Sequence, residues 1–368
     1  MRIAQVAPLY ESVPPKYYGG TERVVAYLTD ELVRQGHDVT LFASGDSETT
    51  ARLVPISHRS LRLDKHCVDQ VAYHVRLLEE VVQMQDEFDI IHFHIGYLHF
   101  PIVPRLRTPH VSTQHGRLDL SDLVVLYTTF RDLPNVSISD DQRRPMPWMN
   151  WVSTVYHGLP ENLYEFKATP GKYFAFLGRI SPEKRVDRAI EVSKRLGVPI
   201  KIAAKVDALD VEYFETTIRP LLDHHLVDYI GEIGEGEKSA FLGDAGALIF
   251  PIDWPEPFGL VMIEALATGT PVIAYRQGSV PEVITHGHDG FIVTNIDDAV
   301  TAAASTTIDR RNCRDTFERR FSATAMAMSY VETYQRIIVA PPEAPPVEVV
   351  PDAEAVSTWR SPETVLEG

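Results

Sequence analysis

The stretch Trp254–Ala274, WPEPFGLVMIEALATGTPVIA, constrains the chain more than any other. An apolar strand end, Ala247-Leu248-Ile249-Phe250-Pro251, runs into a proline-bounded loop that carries Glu256. Phe258-Gly259-Leu260 then turns into an unbroken apolar helix carrying Glu264, which Gly269 stops before a second strand, Val272-Ile273-Ala274. One carboxylate therefore sits in the loop and the other one to two turns into the helix. Between them, the amides of Phe258, Gly259 and Leu260 lie at a helix N-terminus, where unpaired N–H groups and the helix dipole favour an anion. An anion site with a hydroxyl-binding carboxylate on each side has the outline of ribose, diphosphate and sugar. The alternative is an ordinary strand–loop–helix with two solvated glutamates.

At 368 residues, with 44% hydrophobic and 23% charged residues, the chain suits two α/β domains with a large buried core. A net charge of −16 argues against a nucleic-acid binder and against electrostatic docking on anionic lipid. Part of that charge lies beyond Pro341, where six acids face the single Arg360. The Pro, Glu, Val and Ala composition there has no periodicity and predicts a disordered tail over 341–368. Cys67 and Cys313 are too few and too far apart for a disulfide framework or a zinc motif. Met1–Val6 goes straight into a strand, and no apolar run approaches the ~20 residues of a membrane span. A soluble, cytoplasmic chain is expected.

Ile3–Ala7 is a short strand whose following loop closes on Gly19-Gly20. Thr21–Val33 has helical spacing, with Thr21-Glu22 as its N-cap region, and Val39–Ala43 is the next strand. In this unit the glycine pair stands where backbone can approach a phosphate, although many such loops carry two glycines for turn geometry alone. After a helix over about 69–84, the strand Ile90–His94 puts His92 and His94 on one face. His99 is near, but no carboxylate or cysteine follows at ligand spacing, which favours hydrogen bonding over a metal site. The strand His110–Gly116 brings His115 to the ligand edge of an open sheet, with a capping or core role as the alternative. Val136–Ser139 and Val152–Val155 finish the first sheet.

A second series starts at Tyr173–Leu177. Gly178–Arg185, GRISPEKR, gathers Arg179, Lys184 and Arg185, with Ser181-Pro182 as N-cap and first residue of a helix ending at Leu196. The dipole disfavours cations at a helix start, and an anion such as a pyrophosphate between them resolves the conflict. Further strands are expected at Ile200–Ala204, Val227–Gly231 and Gly290–Val293, with helices over about 212–222, 296–305 and 323–338. Gly278–Ile284, GSVPEVI, reads as a loop and a short helix.

Tyr18–Glu22 (YGGTE), His115-Gly116, Gly178–Arg185, the Glu256 and Glu264 pair, and Gly278–Ile284 together resemble the retaining glycosyltransferases of family four. The resemblance covers about residues 1–338. It implies an α/β, GT-B architecture, two facing Rossmann-like domains with parallel sheets and a cleft between them. The expected division is an acceptor-side domain over 1–157, a linker over 158–172 and a nucleotide-sugar domain over 173–321. A last helix over 322–340 packs across the domains. Two departures stand out: the first domain is short for the family, and Tyr156–Leu159 replaces the more usual Asn-Gly turn.

The same resemblance assigns roles. Gly19 and Gly20 approach the donor diphosphate, and Arg179 and Lys184 clamp its oxygens. Glu264 binds the ribose and Glu256 the donor sugar, while Phe258, Gly259 and Leu260 present backbone amides. His115 reaches the sugar, and the base rests near Glu232 and Ile233. His115, Arg179, Lys184 and Glu256 form the expected catalytic set. No DxD motif lies at a strand end, so no metal and no cofactor is expected beyond the nucleotide-sugar co-substrate. The implied activity is transfer of a hexose from a nucleotide-diphosphate sugar of UDP-glucose type, with retention. The acceptor is a sugar, a lipid-linked molecule or a small molecule; no nucleic acid and no integral membrane segment is expected. Alternatives are a nucleotide-sugar epimerase or glycoside phosphorylase on the same fold, and a non-catalytic nucleotide-sugar-binding protein.

Overall fold

The computed structural model describes residues 1–16, 19–305 and 307–340. Tyr18 of the YGGTE motif and the tail expected at 341–368 lie outside them. The described residues form two compact units, one comprising 1–155 and 330–340, the other 156–329.

The first unit is built on seven parallel strands, β1 (Arg2–Val6), β2 (Asp38–Ser44), β3 (Arg52–Ser57), β4 (Ile90–Phe93), β5 (His110–Thr113), β6 (Asn135–Ser137) and β7 (Trp151–Thr154). Their order in the sheet is β3-β2-β1-β4-β5-β6-β7. The second unit has six, β8 (Phe174–Ile180), β9 (Ile200–Val206), β10 (Val227–Gly231), β11 (Ala247–Phe250), β12 (Val272–Tyr275) and β13 (Gly290–Val293), in the order β10-β9-β8-β11-β12-β13. Both are doubly wound sheets. The strand order reverses between β1 and β4 and again between β8 and β11, and the crevice outside the carboxyl ends at such a reversal is where ligands of this fold class sit.

Helices α1 (Gly20–Arg34), α2 (Gln70–Met84) and α3 (Ser121–Thr129) belong to the first unit. The second holds α4 (Val186–Leu196), α5 (Val211–Tyr213) continued through a π turn at Phe214–Ile218 into α6 (Arg219–Leu222), α7 (Glu235–Gly243), α8 (Leu260–Thr268), α9 (Val280–Val283), α10 (Ile296–Ala304) and α11 (Arg310–Arg320). The last helix, α12 (Ala323–Val339), starts in the second unit and ends in the first. Because helices cover both sheet faces, β4, β11 and β12 are buried along their whole length. The second core packs Phe174, Phe176, Ile190, Ile202, Ile249 and Ile273. The first sheet is less apolar: Gln5, His92, His94, Thr113 and Gln114 are all buried in it.

Several local expectations change. Thr21 lies inside α1; the N-cap is Gly19, and no side chain caps that start. Ser181-Pro182 is not the start of α4, because β8 keeps pairing with β9 through Arg179 with Lys205 and Ile180 with Val206. The chain then needs the turn at 181–184 before the helix, and Arg185 becomes its N-cap in the left-handed region at φ 52. Residues 158–172, expected as a linker, are built into the second unit. Leu159 donates to Phe321 O at 2.9 Å and accepts from Ala323 N at 2.7 Å. A Cβ on Gly158 would lie 2.3 Å from Ser322 O, so the turn at Tyr156–Leu159 needs a glycine there for close approach.

Candidate active site

The central stretch folds as strand β11, a loop, helix α8 and strand β12. Gly259 is the N-cap of α8 in the left-handed region at φ 78, and no side chain caps the helix start. Phe258 is buried in an aromatic group with His157 and Phe321, while Gly259 and Leu260 are half-buried. Gly269 ends α8 as a left-handed C-cap.

Glu256 is held from several sides. Lys184 Nζ donates to its Oε2, and Trp254 Nε1–H donates to the same oxygen at 3.0 Å. Its backbone is fixed by Ser279 N, 3.0 Å from Glu256 O. Gly278, at φ 51, approaches so closely that a Cβ there would lie 2.4 Å from both Glu256 N and Glu256 O. Ser279 Oγ also donates to Phe258 O at 2.7 Å, so the GSVPEVI turn clamps both ends of the loop that presents Glu256. Lys184 lies over the Trp254 ring, 5.2 Å from its centroid.

Arg179 stands at the end of β8 among three carboxylates: Glu183 at 2.6 Å, Asp207 at 3.4 Å and Asp210 at 3.6 Å. Burial raises the pKa of Asp210, an effect Arg179 offsets only in part. Lys205, 2.9 Å from Asp207, holds that carboxyl below its ordinary value, with Arg179 contributing. Arg185 pairs with Asp187 at 2.8 Å and Asp253 at 2.9 Å. The cations that sequence reading gathered around an absent anion are thus met by the protein's own acids.

Glu264, five residues into α8, is only 2% exposed and receives Lys238 of α7 at 3.2 Å. Lys238 also pairs with Glu235 at 3.1 Å. Glu232 and Ile233 follow β10 at the carboxyl edge of the same sheet, the first exposed and the second half-buried.

Gly19, Gly20 and His115 belong to the first unit. Gly19 is buried at the N-cap of α1, and Gly20 is the exposed first residue of that helix. His115 lies two residues past the end of β5. Its Nε2 is 2.8 Å from His94 Nδ1, and burial pushes its pKa down to about 3. The His92 and His94 rings lie 3.9 Å apart between centroids, tilted by 44°, and all four of their ring nitrogens have protein partners. Among the described residues no group of three or more His, Cys, Asp or Glu side chains could hold a metal ion, and no helix is long and apolar enough to cross a membrane.

The family model described as Glycosyltransferase Family 4 matches residues 18–195, and that described as Glycosyl transferases group 1 matches residues 165–320. The chain belongs to the GT-B, family-four-like glycosyltransferases. Among curated relatives, the glycosyltransferase is 24% identical over 308 residues to the N-acetyl-alpha-D-glucosaminyl L-malate synthase of Bacillus anthracis, covering 74% of this chain and 80% of that one. Among the solved structures that share its fold are AviGT4 and Anabaena HepE. AviGT4, a glycosyltransferase involved in avilamycin A biosynthesis, superposes with a TM-score of 0.71 at 22% identity over 92% of this chain and 98% of that one. Anabaena HepE, in complex with UDP and glucose, superposes with a TM-score of 0.70 at 18% identity over 91% and 99%.

Sequence reading of this glycosyltransferase missed Lys238, Trp254 and the acids Asp207 and Asp210. Lys238 is one charge among several in EGEKS, and only the packing of α7 beside α8 singles it out. Asp207 and Asp210 follow a strand that sequence reading ended too early, at Ala204. Trp254 was legible as the residue two before Glu256, but its indole donor has meaning only once the loop folds back.

Proposed function

We propose that this glycosyltransferase moves a hexose from a nucleoside-diphosphate sugar, of UDP-glucose type, to a hydroxyl acceptor with retention of anomeric configuration. The observation that carries this reading is the Lys184–Glu256 pair, fixed by Trp254 and the Gly278-Ser279 turn at the reversal point between β8 and β11. A cation, a carboxylate and an uncapped helix start at one sheet edge offer complementary partners to diphosphate and sugar hydroxyls. The UDP and glucose held by HepE support the donor type.

In this reading an ammonium with three donors reaches diphosphate oxygens while still touching Glu256. Glu256 then accepts from sugar hydroxyls, and Glu264, beside Lys238, accepts from the ribose. As the bond from the anomeric carbon to the diphosphate oxygen breaks, negative charge grows on the leaving group. Lys184, Arg179 and the first amides of α8 stabilise it without rearrangement. Glu256 Oε2 is already taken by two donors, which suits a hydroxyl acceptor better than a nucleophile. The acceptor oxygen therefore bonds to the anomeric carbon on the face the diphosphate leaves, and its proton passes to a leaving phosphate oxygen. A thermal-shift series with UDP, GDP and ADP tests the reading: the cognate diphosphate at 100 times its Kd adds about 2.7 kcal/mol of stability. No shift with any of the three would sink it.

A further inference from the structure

A chain of seven hydrogen-bonding groups crosses the first unit and reaches His115. Tyr330 Oη is 2.9 Å from Thr113 Oγ1, which is 2.7 Å from His92 Nε2. His92 Nδ1 is 2.6 Å from Tyr334 Oη, and Gln5 Nε2 donates to that phenol at 3.1 Å. On its other side Gln5 Oε1 is 2.7 Å from His94 Nε2, and His94 Nδ1 is 2.8 Å from His115 Nε2. Gln5, His92, Thr113, Tyr330 and Tyr334 are each 0% exposed, and His94 is 2% exposed. Tyr330 and Tyr334 come from α12, so that helix supplies two links to a series otherwise made by β1, β4 and β5 and the residues that follow them.

We propose that Tyr334, acting through Gln5 and His94, is a positioning residue that holds His115 in the tautomer protonated at Nε2. The donor directions fix this in turn. An amide nitrogen can only donate, so Tyr334 oxygen accepts from Gln5 and its own proton goes to His92 Nδ1. His92 then carries its proton at Nε2 and gives it to Thr113. The carbonyl of Gln5 can only accept, so His94 is protonated at Nε2, its Nδ1 is bare, and it accepts from His115 Nε2–H. No carboxylate stands in the series to stabilise an imidazolium, and burial holds His92 and His115 far on the neutral side. Turning the Gln5 amide over reverses every donor and moves the His115 proton to Nδ1. The phenol of Tyr334 ties that amide to His92, so the amide turns over only if His92, Thr113 and Tyr330 reverse their donors with it.

Only the effect on turnover rests on the role at the donor sugar that the family resemblance implies for His115: with the proton at Nε2, Nδ1 is left to accept from a sugar hydroxyl. Long-range proton–nitrogen spectra of the full chain, 15N-labelled at histidine, report which ring nitrogen carries the proton. Wild type should show His115 protonated at Nε2 alone. Tyr334→Phe keeps the ring and removes the link, so both His115 tautomers should appear, with turnover of UDP-glucose reduced roughly tenfold and UDP affinity unchanged. Gln5→Glu is the contrast: a carboxylate must accept from both His94 and Tyr334, so His115 keeps its proton at Nε2 while that of His92 moves to Nδ1. One unchanged His115 tautomer in Tyr334→Phe, or a His115 proton moved to Nδ1 in Gln5→Glu, overturns the proposal. Mixed tautomers in Tyr334→Phe with full turnover would uphold the relay and remove His115 from the transfer reaction instead.

Discussion

Lys184 and Glu256, 72 residues apart in sequence, meet as an ion pair where the strand order of the second sheet reverses. Both are largely enclosed, with side chains 19% and 13% exposed. In the proposed function, the pair puts the cation that meets phosphate and the carboxylate that meets sugar hydroxyls in contact before any ligand arrives. It also means that each constrains the charge the other offers.

Glu256 and Glu264 should therefore fail differently. Glu256→Gln removes the charge that shares Lys184, so UDP affinity should hold or tighten. Turnover should fall at least ~100-fold, about 2.7 kcal/mol of transition-state stabilisation. In its proposed place at the ribose, Glu264 meets a part of the donor that does not change during reaction, and Glu264→Gln should weaken that contact. Its loss should appear in KM and in UDP affinity alike, with kcat little altered. Calorimetry with UDP beside steady-state rates separates the two. If Glu256→Gln lost UDP binding and kept kcat, the two carboxylates would have to exchange roles.

Arg179 should be costly in two ways. In Arg179→Ala the carboxylates of Glu183, Asp207 and Asp210 lose their common partner, so the melting temperature should drop as well as the affinity for diphosphate. Exposed pairs are worth about 0.2–1 kcal/mol each, so a fall of a few degrees is expected. Adding Asp210→Asn to Arg179→Ala should restore part of the melting temperature. Differential scanning calorimetry showing no loss in Arg179→Ala would contradict this account of the cluster.

Gly278 should behave as an active-site residue without touching substrate. A methyl in Gly278→Ala meets Glu256 backbone at 2.4 Å and moves the loop that carries the carboxylate. Turnover should drop by more than tenfold, roughly 1.4 kcal/mol or more. Gly231→Ala is the control, since it has a similar left-handed φ of 77 but open space around its Cβ. Equal rates in the two variants would show that the loop tolerates displacement.

Much of the second site was legible because its signals are local. Proline, glycine and glutamate positions in Trp254–Ala274 dictate a strand, a loop and a helix at short range, and those elements formed within a residue or two. The elements that went unread depend on tertiary context. Strand β3 carries Pro55, which an edge position tolerates. Helix α11 is dominated by arginines and acids, and only contacts such as Arg314 with Ala267 O and Tyr164 O reveal why it docks. The histidine series needed three strands and α12 in register, which no spacing in sequence displays.

The buried imidazoles also give stability a pH dependence. Burial holds His92 and His99 well below the ordinary value, His110 at about 4 and His115 at about 3. Each stays neutral in the folded unit but takes up a proton when unfolded below pH about 6.5. The unfolded state then binds more protons, so stability falls as pH drops from about 6.5 and is flat with respect to these groups above it. For the fully buried His92 and His99 the slope reaches about 1.4 kcal/mol per pH unit each. Urea unfolding should show a lower midpoint at pH 5.5 than at pH 7.5, with amides of β4 and β5 among the first to lose exchange protection. Identical midpoints would contradict the burial of these rings.

In the proposed function a nucleoside diphosphate binds at the second unit through Lys184. Isothermal titration of UDP into wild type and Lys184→Ala tests it most directly. The lost charge-assisted hydrogen bonds should weaken binding by about 1.5–3 kcal/mol, roughly 10- to 150-fold, at unchanged stoichiometry. Equal affinity in the two proteins would contradict it.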